Sequence, residues 1–392
     1  AMGDAMRVIQ RTFTNAYRTD GALLHQVGRT IGQYSRSRVS EQQIDTLTRG
    51  LSTRQQQVLA LNEVARFSRS DSLSAAVVGK LAELGDRSSY NALRAALFRG
   101  SAQTIPRAAR AFSTLARRDS AFVPRRSVLD LGRHGSVRKQ IEAVLARGEV
   151  KEIRPLRTDN THAFDTYLVT FRNKLDGQPI QAVFKPTGPA KNQNWVRYSR
   201  RRHGHGGAYS FVSREVFAYQ FDKKLGLRRV PPTDAALLDV PGLGPAFGSL
   251  QYFVPRGRSL GANWKDTRPE YRGFLRSRDG IRQYDLIKTL SYVFSSEEHV
   301  PSNLLGGNKG NILVADPGTP FPVNTAARRL MMIDNASAFT YKPHLTDGIL
   351  PLRFNKNLVR GLKKLRYQEW IDFAKPYIGR QEAHDSWNRI QH

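Results

Sequence analysis

The apolar residues of this chain change their period part-way along it, and that change limits the fold more than any other feature. Up to about residue 120 they recur at three and four positions: Val58, Leu59, Leu61, Val64, Ala65 and Phe67, then Leu73, Ala76, Val77, Leu81 and Leu84 before Gly85. This is the stripe of short amphipathic helices. Ser52-Thr53-Arg54-Gln55 has the spacing of a capping box ahead of the first of these helices, and Asp71 is placed to cap the second. Ser88 to Phe98 repeats the theme before Gly100, a residue suited to ending a helix. Helices first and strands later argue for an α+β protein. The helical part, residues 1–125, reads as a binding or scaffolding domain of dissimilar units.

Pro124-Arg125-Arg126 and Gly132-Arg133-His134-Gly135 break the pattern and mark a boundary. Beyond it the period becomes two. Tyr167 to Phe171, Asp176-Gly177 as a turn, and Ile180 to Lys185 predict a hairpin. Further on, Arg214 to Leu225 predicts a helix stopped by Gly226, Phe247 to Val254 a strand, and Asp285 to Phe294 a buried helix. Ile312 to Val314 and Leu330 to Ile333 predict two short strands, and Asn355 to Arg366 a basic amphipathic helix. Such a helix can lie on an anionic membrane or pack its leucines inward and leave its cations in water, and the second reading is preferred.

Composition removes several chemistries. There is no cysteine among the 392 residues, which excludes disulfide frameworks, thiolate zinc sites, iron–sulfur clusters and a cysteine nucleophile. No run approaches the length of a membrane span, so a soluble protein is expected. The opening Ala1 to Met6 lacks the pattern of a secretory signal and reads as a cloning remnant before a trimmed domain. Sixty-two Lys and Arg against 33 Asp and Glu give a formal charge of +29. Phosphates of nucleotides, lipids or nucleic acid therefore all qualify as partners. The arginines are scattered, which compositional bias would also produce.

The chemistry concentrates in a few phrases. Ala182-Val183-Phe184-Lys185-Pro186 puts a lysine on a strand, and Arg214-Glu215-Val216-Phe217 puts a glutamate on a following helix. An ammonium held by a carboxylate is the pairing that receives nucleotide phosphates in kinases. Gly310-Asn311-Ile312-Leu313-Val314 and Met332-Ile333-Asp334-Asn335 then offer an amide oxygen and a carboxylate across a short hairpin, the outline of a magnesium site.

In these phrases and their order, residues 140 to 345 resemble the atypical kinase superfamily that includes phosphatidylinositol 3/4-kinases, HipA-type kinases and four-jointed secreted kinases. The resemblance implies a two-lobed atypical protein-kinase-like domain, with an N-lobe at 126–255 and a C-lobe at 256–392, behind the all-α domain. It implies ATP with Mg2+ or Mn2+ as cofactors. Lys185 would contact the α- and β-phosphates, Glu215 would pair with it, Gln251-Tyr252-Phe253-Val254 would form the hinge for adenine, and Asp334 would hold metal.

The catalytic loop departs from the family pattern. Five residues before Asn311 stands Gly306, whereas five before Asn303 stands Glu298, in Glu297-Glu298-His299-Val300-Pro301-Ser302-Asn303. Either Glu298 is the base and Asn303 the metal ligand, or the loop is expanded and Asn311 is the ligand. Thr158 to Ala163, where a phosphate-covering turn is expected, contains no glycine. Arg197 to Gly207 inserts an arginine-rich loop, in which His203 and His205 lack an evident third metal ligand.

The expected activity is transfer of the ATP γ-phosphoryl group to a hydroxyl of a protein Ser/Thr or of an inositol lipid or polyol. Nucleotidyl transfer and an inactive pseudokinase scaffold with a basic anion-binding surface are the alternatives. Nucleic acid ranks below nucleotide as a partner. The composition suits a bacterial protein, with export to another cell an open option.

Overall fold

The computed structural model describes residues 44–45, 48–49, 51, 53–67, 71–99, 104–119, 121–122, 125–156, 165–186, 211–260, 267–294, 311–321, 327–335, 356–378 and 380–391. Glu297, Glu298, His299, Asn303, the Thr158–Ala163 turn and the Arg197–Gly207 insertion lie outside the described residues. The chain is a mixture of helices and antiparallel sheets and forms two compact units. One comprises residues 1–125 with 243–247, the other 126–242 with 248–392.

The first unit is built from helices α1 (Arg54–Phe67), α2 (Asp71–Leu84), α3 (Tyr90–Arg99) and α4 (Thr104–Arg118). The capping box sits one residue later than the sequence suggests. Gln56 N–H donates to Thr53 Oγ1 at 3.2 Å, and Thr53 N–H donates to Gln56 Oε1 at 3.3 Å. Thr53-x-x-Gln56 has the same spacing as Ser52-x-x-Gln55, so the pattern alone does not choose between them. Leu61, Val64, Leu73, Val77, Leu81 and Leu93 are fully buried. Tyr90, Phe112 and Phe122 meet edge to face, with centroids 5.2 to 5.9 Å apart, a favourable geometry for aromatic quadrupoles. Gly85 is required by space: a Cβ there would stand 2.3 Å from the Leu81 carbonyl oxygen.

The carboxyl end of α2 is closed by arginine. Arg118 donates to the carbonyls of Glu83 (3.0 Å), Ala82 (3.1 Å) and Gly85 (3.4 Å), and Arg54 Nε donates to Leu84 O at 3.0 Å. A cation here satisfies carbonyls left without intrahelical donors and meets the negative end of the helix dipole.

In the second unit, α5 (Val137–Arg147) precedes a five-stranded sheet of β1 (Val150–Pro155), β2 (Tyr167–Leu175), β3 (Gln178–Pro186), β4 (Thr233–Val240) and β5 (Gly244–Tyr252), in the order β1-β2-β3-β5-β4. Asp176 and Gly177 join β2 to β3 with φ of 50° and 77°, the left-handed pair of a type I′ hairpin turn. Helix α6 (Phe211–Leu225) intervenes before β4. A second sheet, β6 (Gly257–Ser259), β7 (Ile312–Ala315) and β8 (Arg329–Met332), is accompanied by α7 (Pro269–Arg276), α8 (Arg278–Phe294), α9 (Lys356–Leu362), α10 (Tyr367–Ala374) and α11 (Arg380–Gln391).

Three boundaries differ from the sequence reading. Strand β5 ends at Tyr252 because Val254 O accepts from Gly257 N–H (3.0 Å) in a turn that places Arg256 at φ 59°. Helix α8 starts seven residues before Asp285, where Ser277 Oγ receives the Gly280 N–H at 3.1 Å. Helix α9 closes at Leu362, ahead of Arg366, as Lys364 N–H turns to Gly361 O at 3.2 Å.

Helix α6 runs through the core. Phe217 and Phe221 lie 5.7 and 5.4 Å from Trp370 of α10, and Phe221 lies 5.4 Å from Phe294 of α8. The Trp370 indole donates to Ala383 O at 2.8 Å. Leu358 and Leu362 of α9 join the same core, so this helix packs its leucines inward. Among the described residues no helix is long and apolar enough to cross a membrane.

Replacing Arg118 with Ala should lower the stability of the helical unit by about 1–2 kcal/mol, because two α2 carbonyls and that of Gly85 just beyond it lose a charged donor. Urea unfolding followed by circular dichroism measures this. An unchanged midpoint would show that water serves the carbonyls equally well.

Candidate functional site

Strand β3 turns Ile180, Ala182 and Phe184 to the buried side of its sheet and Gln181, Val183 and Lys185 to the other, the alternation a strand imposes. Lys185 pairs across the sheet with Ser249 of β5. Both side chains therefore leave the same face and meet one carboxylate. Lys185 Nζ donates to Glu215 Oε1 at 2.8 Å, and Ser249 Oγ donates to Glu215 Oε2 at 2.7 Å. Glu215 is 1% exposed, near the start of α6.

The same ammonium donates to Asp334 Oδ1 at 2.9 Å. Asp334 follows β8 directly. Ile312 pairs with Met332, and Ile333 N–H donates to Asn311 O at 2.9 Å. Antiparallel pairing thus brings Asn311 and Asp334 to one open end of the β7–β8 hairpin. Asp334 has φ 55°, a left-handed conformation that Asp tolerates better than most residues. Its neighbour Asn335 is fully buried, and neither amide atom has a partner among the described residues.

A buried polar frame fixes β8. Gln283 of α8 accepts from Arg229 Nη1 (2.7 Å) and Leu330 N–H (3.0 Å), and it donates to Asp279 Oδ2 (2.8 Å) and Arg328 O (2.9 Å). Arg229 O accepts the Met332 N–H at 2.7 Å, and Arg229 N–H donates to Asp222 Oδ1 at 2.7 Å. Burial lowers the Arg229 guanidinium to about 10, and it remains charged.

Burial alone would depress the Lys185 ammonium, but Asp334 and Glu215 more than reverse this, and the net shift is upward. The two carboxylates thus favour the charged form of the lysine. One cation stands between two carboxylates, and a divalent cation arriving with a polyphosphate would offset carboxylate and phosphate charge together. Among the described residues no three His, Cys, Asp or Glu side chains form a metal cage. A divalent cation at the hairpin end would take Asp334, an amide oxygen of Asn311 and phosphate oxygens, the mixed set that Mg2+ accepts. The unspent amide of Asn335 is consistent with a further ligand at this end.

Of the residues singled out from sequence, Lys185, Glu215 and Asp334 converge, and Asn311 lies with Asp334 at the open end of the β7–β8 hairpin. The hinge segment leaves the sheet at the end of β5. Gln251 donates through Nε2 to Thr233 Oγ1 at 3.0 Å, and the buried Tyr252 ring lies 6.3 Å from that of Phe321. Tyr252 N–H bonds Pro232 O at 2.8 Å, Phe253 N–H bonds Gln181 O at 2.9 Å, Phe253 is part-exposed and Val254 is buried. Glu298 and Asn303 lie outside the described residues.

Sequence reasoning missed Ser249, Gln283, Arg229 and Gly248. A Cβ on Gly248 would stand 2.3 Å from the Lys185 carbonyl oxygen and 2.7 Å from the Phe184 ring. Gly248 and Ser249 sit together in Phe247-Gly248-Ser249-Leu250. A glycine and a serine inside an apolar strand were the available signal.

Compared with models of known protein families and with curated protein sequences, the chain matches none.

Two predictions follow from this geometry. Gly248→Ala should push β5 from β3 beside Lys185 and cost about 1–3 kcal/mol in urea unfolding; an unaltered midpoint would show that the strands yield freely. The Asp222 carboxyl, fully buried, is pushed by burial from 3.8 up to about 6, against the opposing pull of the Arg229 N–H and Arg138. A raised folded value means stability that is present at low pH and is lost as pH rises through about 6. Relative to Asp222→Asn, the wild type should therefore be more stable at pH ~4.5 than at pH ~7 by about 2 kcal/mol. A flat difference across that window would remove Asp222 from this role.

Proposed function

We propose that the chain is an ATP- and Mg2+-dependent phosphotransferase of the atypical kinase type, with a two-lobed catalytic unit over residues 126–392. It moves the γ-phosphoryl group to a hydroxyl of a protein Ser/Thr or of an inositol lipid or polyol. One observation carries the reading: a strand lysine bonded both to a buried helix glutamate and to an aspartate 149 residues further on, beyond a short hairpin. This is the arrangement in which kinases hold phosphates and metal.

Under this reading the Lys185 ammonium neutralises oxygens of the α- and β-phosphates. Glu215 keeps the ammonium in place, and Ser249 keeps Glu215 in place, so the cation is positioned before the nucleotide arrives. Asp334 and Asn311 hold the divalent cation, which when bound neutralises the β- and γ-phosphate oxygens. Glu298 is assigned to orient the acceptor hydroxyl and take its proton, on the resemblance of its loop alone.

Thermal unfolding of the full chain tests binding: ATP with MgCl2 should raise the melting temperature. Asp334→Asn, at a side chain 38% exposed, should change basal stability by about 1 kcal/mol or less and remove the shift. Lys185→Met should also remove it, at a basal cost of about 3–5 kcal/mol, because Glu215 is left buried without its cation. A full shift in both variants overturns the assignment. Transfer of label from γ-labelled ATP supports phosphoryl transfer, whereas transfer from α-labelled ATP only would reassign the reaction to nucleotidyl transfer.

A further inference from the structure

Helix α9 is held by its apolar side and leaves a cationic side outward. Leu358 and Leu362 are buried in the core, and Gly361 faces Leu225 of α6. Lys356, Arg360, Lys363 and Lys364 are all exposed and, with Val359, line an open hollow of about 510 Å3. No carboxylate lines it among the described residues, and none of the four cations has an ion-pair partner there.

Lys356 and Arg360 stand one helical turn apart on α9, and Lys363 and Lys364 continue beside them in the turn that closes the helix. Like charges at this spacing repel one another and oppose folding of the helix. Other helix termini in this protein spend their arginines on carbonyls, as Arg118 does on α2. Here the cations have no such use. A single phosphate cannot neutralise four cations.

We propose that this face of α9 is a binding site for a soluble polyphosphate, a small ligand carrying several clustered phosphate monoesters. An open hollow leaves a charged ligand partly in water, and lysine and arginine are the side chains that hold phosphate. Leu358 and Leu362 of α9 are committed to the core, which leaves Val359 as the apolar side chain of α9 beside the hollow, too little apolar surface to hold the helix in a bilayer. The ligand is for that reason a free one and not a lipid headgroup.

Titration calorimetry of the full chain with inositol hexakisphosphate as the probe tests the site. The wild type should bind, and R360E/K364E should weaken binding by roughly tenfold or more while leaving the ligand-free circular dichroism spectrum unchanged and the melting temperature no lower. Lys185→Met or Asp334→Asn should not alter the affinity, which separates this site from a probe lodged in the phosphate cleft of the proposed kinase. Retained affinity in R360E/K364E, or no binding by the wild type, overturns the proposal. Binding to vesicles containing phosphatidylinositol 4-phosphate without binding to the free probe, or tighter binding to a single-stranded oligonucleotide that the same double variant abolishes, would also overturn it by assigning the face to a membrane or to nucleic acid.

Discussion

The second unit depends on one ammonium shared by two carboxylates. Glu215 is 1% exposed on a helix that passes through the core, and a carboxylate buried there without a cation is strongly destabilising. Lys185 supplies the cation at 2.8 Å and Ser249 supplies a hydroxyl at 2.7 Å. Strands β3 and β5 and helix α6 must therefore hold one relative position. The bond from Lys185 to Asp334 ties the β7–β8 hairpin to the same point.

Around that point the arginine excess takes on defined work. Arg118 and Arg54 close the carboxyl end of α2, Arg126 donates to Leu145 O and Gly148 O at the end of α5 (3.2 Å each), and Arg389 Nε donates to Val293 O at the end of α8 (3.3 Å). A guanidinium suits this role because its planar fork reaches several carbonyls while it stays charged. Arg389 does so even where burial lowers it to about 10. Compositional bias supplies arginine without choosing its positions. The recurrence at helix ends shows that in these places the fold uses it.

The sequence reading succeeded where the signal is local. Asp176-Gly177 dictates its turn through backbone sterics alone, and the lysine, glutamate and aspartate phrases lie on segments whose periodicity is readable. It failed where a role depends on register or on a distant partner. Ser249 matters because it stands opposite Lys185, and nothing near Ser249 in the chain reveals this. Gln283 reads as one polar position on an amphipathic helix, yet three of its four hydrogen bonds join α8 to Arg229, Arg328 and β8. The displaced capping box and the early start of α8 have another cause: several residues share the required chemistry, and tertiary contacts choose among them.

Under the proposed function the two carboxylates cannot be equivalent. Two of the three ammonium donors of Lys185 are taken by carboxylates, so a phosphate that needs more than one bond from it would have to displace one of them. Releasing Glu215 would strand a carboxylate at 1% exposure, whereas Asp334 is 38% exposed and can be hydrated as it turns away. The cost of desolvation would therefore favour Asp334 over Glu215 as the group that gives up its bond to lysine and could hold a metal. Its left-handed backbone, at φ 55°, lies at the end of β8 and outside the ladder, so this exchange need not disturb the strand pairing that Gln283 and Arg229 secure. Glu215, braced by Ser249, stays as the fixed end of the pair. The asymmetry in burial thus gives the site one carboxylate to position the ammonium and another to move.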